Sequence, residues 1–347
     1  MGNSAPTSTN THRKLVIVVL GLAALITAML CAFALPSLNS GPHGIPIGVT
    51  GTEQAVQDLQ RGLDGDAWEL DVYASASELK GAVEGQGVIG GLVLHAGKLD
   101  VYTASAGAPS ATSALTALGE MLVEKQGDAL AVHDVVPFTA DDPRGSGLTA
   151  ALMPMIFGGI FPALILSGVF PGHRGLRTRL AGAILFSLVA GAAVAAVLQF
   201  ATGSIGGDYW MNAFGVILGM TAMSTTLLGL QALLGMAGFA LGGALMMLLG
   251  NPLSGLATGP HWLPTGWASL GQLLPPGAAG SLLRTNAFFD GATAGLPALV
   301  LTGWIILGVA FALIAGRRGR RPTHSGSAVV RQSAPAGPQM EPVAQGR

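Results

Sequence analysis

Charge is scarce in this chain. Only 10% of its 347 residues are Asp, Glu, Lys or Arg, against roughly 25% in a soluble globular domain. Half of the residues are hydrophobic, so much of the chain never faces water. Cysteine is almost missing as well. Cys31 is the only one, no intrachain disulfide can form, and any exported segment has to hold together by packing. Leu30 stands where a lipid-attachment signal needs a small residue, and the expected state of Cys31 is a buried apolar thiol.

The patterns of nucleotide binding and hydrolysis are lacking too. The single Gly-Lys pair, Gly97-Lys98, is followed by Leu99. A phosphate-cradling P-loop needs Ser or Thr there. None of the seven histidines falls in a His-Glu-x-x-His pattern, and no serine sits in Gly-x-Ser-x-Gly. The sequence offers no catalytic, cofactor-binding or metal-ligating set and no nucleic-acid partner, and the chain is not expected to be an enzyme.

What is present is a series of long apolar runs. Residues 213–250 carry no charged side chain over thirty-eight positions. As one helix they would measure about 57 Å at ~1.5 Å per residue, nearly twice a ~30 Å bilayer core. The run must fold back on itself, with a hinge expected between Gly229 and Gly238 and with Gln231 reaching interfacial water. Together with residues 15–35, 148–170, 180–202 and 293–315, it predicts an α-helical polytopic membrane protein with six transmembrane helices. Residues 15–35 follow His12-Arg13-Lys14 and end near Ala32-Phe33-Ala34. They read either as a cleaved signal peptide or as an uncleaved anchor, and their length favours the anchor. Gly2 invites a myristoylation reading, but Pro6 stands where Ser or Thr is needed.

A water-soluble segment interrupts the runs. Residues 36–147 hold fifteen acidic side chains and five basic ones, about −10 in all, whereas the whole chain is at −1. Strand-like and helix-like stretches alternate along it. Strands are expected at 45–49, 68–73, 88–94, 99–103 and 130–138. Helices are expected to open at Thr50-x-x-Glu53 and Ser75-x-x-Glu78, both capping-box patterns, and to run over 109–126. This is a small extracytoplasmic α/β domain between helices 1 and 2, joined to the next span by the linker 141–147. The remaining divisions are a cytoplasmic tail at 1–14, a five-helix membrane block at 148–315 and a basic, disordered cytoplasmic tail at 316–347.

Lys and Arg in short loops set orientation. Arg13 and Lys14 precede the first span. Arg174, Arg177 and Arg179 lie between the second and third, and Arg317, Arg318, Arg320 and Arg321 follow the sixth. Six spans put all three clusters on one side, the cytoplasm, with both termini there. Residues 36–147 then lie outside, and Trp210, Trp262 and Trp267 form an outer aromatic belt. The six spans contain no Asp, Glu, Lys, Arg or His. Such groups mark proton relays, so a proton-driven antiporter is disfavoured and energy is expected from a partner.

Three local features could carry function. The short basic loop offers His173, Arg174, Arg177 and Arg179 either to anionic lipid or to a cytoplasmic protein. Thr221, Ser224, Thr225 and Thr226 could line a polar path, or bond back to their own helix. The stretch 251–291, with Asn251, Pro252, Pro275, Pro276, Arg284 and Asp290, is too broken to span and too apolar for a free loop. It is read as re-entrant or interfacial helix, for example over 277–289, with Arg284 paired to Asp290. Gly215-x-x-x-Gly219, Gly238-x-x-x-Gly242 and Gly291-x-x-x-Gly295 allow close helix approach within one chain or at a dimer seam.

An apolar anchor, an exported α/β domain and five further spans with a basic loop after the second resemble the membrane subunit of type 2 ABC exporters, in particular the YhgE/Pip-like family. The stretches LGNPLSG (249–255), LPPGA (274–278) and LLRTNAFFDGA (282–292) are similar to that family's re-entrant segment before the last span. The resemblance implies a permease of a bacterial cell membrane, working as a homodimer or heterodimer. It implies a separate cytoplasmic ABC ATPase, docked on the loop of His173, Arg174, Arg177 and Arg179, and outward movement of a hydrophobic or amphipathic compound. It also implies an alternative, a non-transporting envelope receptor or assembly scaffold of the phage-infection-protein kind that binds a partner through its exported domain.

Overall fold

The computed structural model describes residues 8–38, 41–63, 65–172, 175–264 and 266–318. The expected tail at 1–14 lies partly, and that at 316–347 almost wholly, outside the described residues. The described chain is mostly helical and carries one small sheet.

The sheet has five strands: β1 (Ile45–Thr50), β2 (Trp68–Val72), β3 (Gly90–His95), β4 (Lys98–Thr103) and β5 (Ala129–Asp134), in the order β2-β1-β3-β4-β5. Only the β3–β4 hairpin is antiparallel, and the other neighbours are parallel. Parallel neighbours need crossovers, supplied by α2 (Glu53–Gly62), α3 (Ala76–Glu84) and α4 (Pro109–Gln126). Alternation along β1 sends Ile45, Ile47 and Val49 to one face, where Val56 and Leu59 of α2 and Leu115 and Leu118 of α4 bury them. On the other face α3 lies very close. A Cβ at Gly48 or Gly91 would stand 2.0 or 2.5 Å from Leu79 Cδ1, so both positions require glycine. Ser75 caps α3 as its pattern predicts, its hydroxyl accepting the Glu78 N–H at 3.2 Å. The cap of α2 differs by two residues. Thr52, not Thr50, accepts the Ala55 N–H, and Thr50 Oγ1 is buried without a partner because Thr50 is still the last residue of β1.

Helix α1 (Ser8–Leu38) carries the apolar run 15–35 as one 31-residue rod, packed on the segment 245–254. Leu15 to Leu20 are all more than half exposed. Cys31 is exposed as well, so the expected buried thiol is corrected: α1 has too few neighbours to bury that side.

Among the described residues, four helices are long and apolar enough to cross a membrane: α5 (Ser146–Val169), α6 (Leu176–Ala196, continued by a π turn to Ala201), α7 (Tyr209–Leu234) and α11 (Gly295–Arg318). The expected fifth span is shorter. Gly235 (φ 66°) ends α7 inside the predicted hinge. The return, α8 (Met236–Ala244) with its π turn to Gly250, has fifteen residues, or about 22 Å of helix, against a ~30 Å bilayer core. The broken stretch that follows holds α9 (Trp267–Leu273) and α10 (Pro275–Phe288), joined by short 3-10 turns at Pro252–Ser254 and Pro260–Trp262.

Helix α7 is the hub, buried over most of its length by α5, α6, α10 and α11. Glycines on the neighbours make this possible. A Cβ at Gly158 or Gly159 of α5 would come within 2.6 Å of Met220 or 2.4 Å of Met223, and one at Gly191 of α6 within 3.0 Å of the Ile217 backbone. The outward surfaces of α6 and α11 are apolar, with Leu185, Val189, Leu299 and Ile306 all more than 60% exposed. Asp142 in the linker opens α5. Its carboxylate accepts the N–H of Ser146 (3.0 Å) and of Gly147 (2.7 Å) and the Ser146 hydroxyl (2.8 Å).

Candidate functional site

Three sets of side chains were singled out by sequence, and the fold treats them differently. In the basic loop, His173 and Arg174 lie outside the described residues. Arg177 is exposed in the first turn of α6. Arg179 is buried: Nη2 donates to the Gly172 carbonyl at 2.8 Å and Nη1 to Ser167 Oγ at 3.5 Å. Ser167 donates in turn to Gln231 Oε1. Gln231, expected to reach water, and Arg179 thus tie the ends of α5, α6 and α7 together.

Thr221, Ser224, Thr225 and Thr226 of α7 are all buried. Ser224 and Thr225 bond back to the Thr221 carbonyl at 3.2 and 2.7 Å, the ordinary helical arrangement. Thr226 instead donates across to the Trp304 carbonyl of α11 at 3.1 Å. Beside it Gly229 and Gly308 meet backbone to backbone. Of the predicted glycine pairs, Gly215 and Gly219 face Leu282 and Ala279 of α10, and Gly238 and Gly242 face the last turns of α7. Gly291 lies in a turn (φ 76°), and a Cβ at Gly295 would meet open space, so that pair packs no helices.

The stretch 251–291 is where the two bodies meet. Pro275 and Pro276 open α10, where their missing N–H groups cost nothing. Pro276 fills the space over Gly250. Pro252 opens a 3-10 turn in which the Asn251 carbonyl accepts from Ser254. Asn286 donates to the Met211 carbonyl at 2.7 Å and fixes α10 to the first turn of α7. Phe289 enters the core behind α3, against Gly107, and Phe288 stands edge-on to Phe138. Gln86, held at φ 58°, accepts the hydroxyls of Thr285 and Thr293 from the helical body. Trp262 packs against the sheet core while its carbonyl accepts from Gly41. Trp210 is the exposed one, at 74%.

Between these contacts lies a cavity of about 590 Å³. The sheet side contributes Val83 and Val88, α11 contributes Leu296 and Val300, and α9 and α10 contribute Gln272 and Arg284. Its wall is chiefly apolar, and no carboxylate lines it. Arg284 is only 4% exposed. Nη2 donates to the Leu256 carbonyl, and Nε has no partner among the described residues. The expected ion pair with Asp290 is not formed. Arg284 is drawn into the joint, whereas Asp290 stands exposed on a left-handed turn (φ 49°) that directs the chain into α11. Ser281 donates to Gln272 Oε1 at 2.6 Å, and Gln272 donates to the Ser254 carbonyl at 3.0 Å, which fixes the polar side of the wall. Of the residues singled out by sequence, Arg284 alone lines the cavity. The α7 hydroxyls do not reach it.

The second polar cluster lies on the sheet. Asp100, 6% exposed, receives His133 Nε2 at 2.8 Å and Lys98 Nζ at 2.9 Å, with His95 Nε2 at 3.5 Å. Burial alone would raise its pKa, but the Lys98 and His133 bonds and charges outweigh burial and hold it below the usual carboxylate value. Among the described residues no group of three or more His, Cys, Asp or Glu is placed to hold a metal ion.

No protein-family model, curated protein or solved structure matches the chain.

Proposed function

We propose that the chain is the membrane permease subunit of an exporter, driven by a separate cytoplasmic ATPase and moving a hydrophobic or amphipathic compound outward. The carrying observation is the cavity at the joint. A protein whose helices served only as anchors would need no ligand-sized space walled jointly by its sheet body, by two short helices too brief to span and by a long apolar helix. The charge-free body supports the reading from a second side. The expected spans hold no Asp, Glu, Lys, Arg or His, the groups that make proton relays, so work is expected from outside the chain.

On this reading α1, α5, α6, α7, α8 and α11 form a six-pass body of the cell membrane. Tilt or local thinning of the bilayer accommodates the short α8. The basic ends carrying Arg13, Lys14, Arg177 and Arg317 face the cytoplasm, and the acidic sheet body faces out. Arg177, the exposed residue of the basic loop, is the described contact for the ATPase, and Arg179 positions the loop from inside. The YhgE/Pip-like resemblance points the same way.

The test is reconstitution. The full chain, purified in detergent, should co-purify with a subunit that hydrolyses ATP, and Arg177→Glu should uncouple that hydrolysis without reducing the yield of folded chain. Vesicles holding the chain alone should move no amphiphile. Transport without any ATPase would overturn the proposal. A chain that binds an envelope partner through its sheet body and never engages an ATPase would favour the receptor or scaffold instead.

A further inference from the structure

A guanidinium keeps its charge when it is buried, so it needs bonds or a counter-charge there. Removing it from water costs several kcal/mol unless bonds replace the hydration. Arg284 satisfies one nitrogen on the Leu256 carbonyl and leaves Nε unpartnered at the cavity wall. It is the only Lys or Arg between Arg179 and Arg317. No acidic side chain lines the space, and the other ionisable group there, His261, can only add positive charge. Apart from a few neutral polar groups such as Gln272 and Ser281 the wall is apolar, and two exposed leucines belong to it. Leu273 and Leu296 stand there 57% and 67% exposed.

We propose that this cavity binds a single-chain anionic amphiphile, with its carboxylate or phosphate on Arg284 and its hydrocarbon chain against Val83, Val88, Leu296 and Val300. Size and polarity agree. At about 590 Å³ the space falls within the ~300–1,000 Å³ of small-molecule sites. Such a site is mostly apolar with a few convergent polar groups, and a charged acceptor makes the stronger bond to an arginine fork. A two-chain phospholipid could place only part of itself inside. The site's location beside the bilayer rests on the topology proposed above, but binding does not require transport. A chain that binds and never transports leaves this inference standing.

The experiment uses the full chain in a neutral detergent and a photoactivatable palmitate. The expected result is saturable labelling of peptides from α9, α10 or α11. Oleate should displace the label at a concentration at least tenfold lower than monoolein, its uncharged counterpart, and phosphatidylglycerol should compete no better than monoolein. Arg284→Gln should erase the tenfold preference, and Arg284→Lys should retain part of it. Ala268→Trp, which fills the cavity from α9 without touching the arginine, should abolish labelling even if the Arg284 variants do not fold. Equal displacement by oleate and monoolein would overturn the proposal. So would unchanged labelling of Ala268→Trp, or displacement by phosphatidylglycerol as strong as by oleate, which would make the occupant a membrane lipid.

Discussion

The contact between α7 and α11 gives the sharpest test of how the helical body is built. The two helices run parallel and touch at Gly229 and Gly308 with no side chain between them. A Cβ added at Gly308 would lie 2.5 Å from the Thr225 carbonyl carbon and 2.6 Å from its oxygen. One added at Gly229 would lie 2.2 Å from the Gly308 oxygen. Each obstacle is backbone, which cannot rotate away as a side-chain tip can. Restoring ordinary contact requires the helices to part locally by about 1 Å. Overpacking of this kind costs roughly 1–3 kcal/mol. Separation also stretches the Thr226 to Trp304 hydrogen bond, now 3.1 Å, a class of bond worth about 0.6 kcal/mol on average in helical membrane proteins. After the intrinsic gain of up to ~1 kcal/mol for alanine in a helix is subtracted, Gly308→Ala should still destabilise by about 1–3 kcal/mol.

The control lies on the same helix. At Gly303 an added Cβ meets nothing within 4 Å, so Gly303→Ala should be neutral or slightly stabilising. Both variants, with Gly229→Ala, would be purified in the same detergent and heated, and the temperature at which half the monodisperse protein is lost would be recorded. Gly308→Ala and Gly229→Ala should fall well below wild type. The double variant should fall by less than the sum, because one separation relieves both clashes. If Gly308→Ala and Gly303→Ala melt together, the close crossing is not a feature of the folded protein, and the argument that glycine sets this interface is refuted.

Other outcomes follow from the caps and the joint. Asp142→Ala removes the bonds that open α5 and should cost about 1–2 kcal/mol, read as a lower heating midpoint at pH 7. Burial pushes the Asp142 carboxyl up, but hydrogen bonds from Gly147 and Ser146 outweigh it and leave the pKa lowered. The folded state therefore binds fewer protons. The stabilisation is complete above the unfolded value near ~3.9 and is lost as pH falls through the lower folded value. Asp142→Asn should flatten that acid limb of a stability curve between pH 2 and 5. Asp100, lowered for the reasons given above, behaves in the same sense, and Asp100→Asn should flatten the limb independently because the two sites share no partner. Phe289→Ala empties the core behind α3, a loss of about 3–5 kcal/mol for a well-packed phenylalanine. It should loosen the sheet body, and faster trypsin cleavage at exposed Arg144 is the readout.

The sequence carried most of the sheet body openly. Alternation at 45–49, the Ser75 cap and the helix at 109–126 are local signals that tertiary packing had no reason to override, and the strands and helices stand where they point. The capping error at α2 is equally local. Thr50 and Thr52 both precede Glu53, and only the end of β1 decides which threonine is free to cap. The hinge at Gly235 was visible as a glycine in an over-long apolar run, but the length of the return helix was not. Pro252 ends it from beyond the run. The site was the least legible part. Arg284 and Asp290 are six residues apart on a stretch that reads as re-entrant or interfacial, and with no other charge in it a pair is the ordinary expectation. Only the docking of Phe289 and Gln86 across the joint buries the arginine and leaves the aspartate outside. A lone cation within more than a hundred residues was the available signal.

The two bodies of the chain also obey different rules, and the joint is where the rules meet. Water organises the sheet body: apolar side chains of alternating positions collapse onto three helices, and charge is spent on the outside. The helical body has apolar side chains on both its inner and outer surfaces, so burial alone cannot decide which faces pack. Close packing onto glycine at Gly158, Gly159, Gly191, Gly229 and Gly308 decides it, with single cross-helix bonds from Thr226 and Asn286 setting register. A segment lying between two such bodies can satisfy neither rule with side chains alone. Residues 251–291 accordingly combine short helices, prolines that need no N–H partner and polar side chains that bond to carbonyls of their own stretch and of α7. A cavity with apolar walls and one unmatched cation is what that compromise leaves open, and an amphiphile with an anionic end is the molecule whose chemistry is split in the same way.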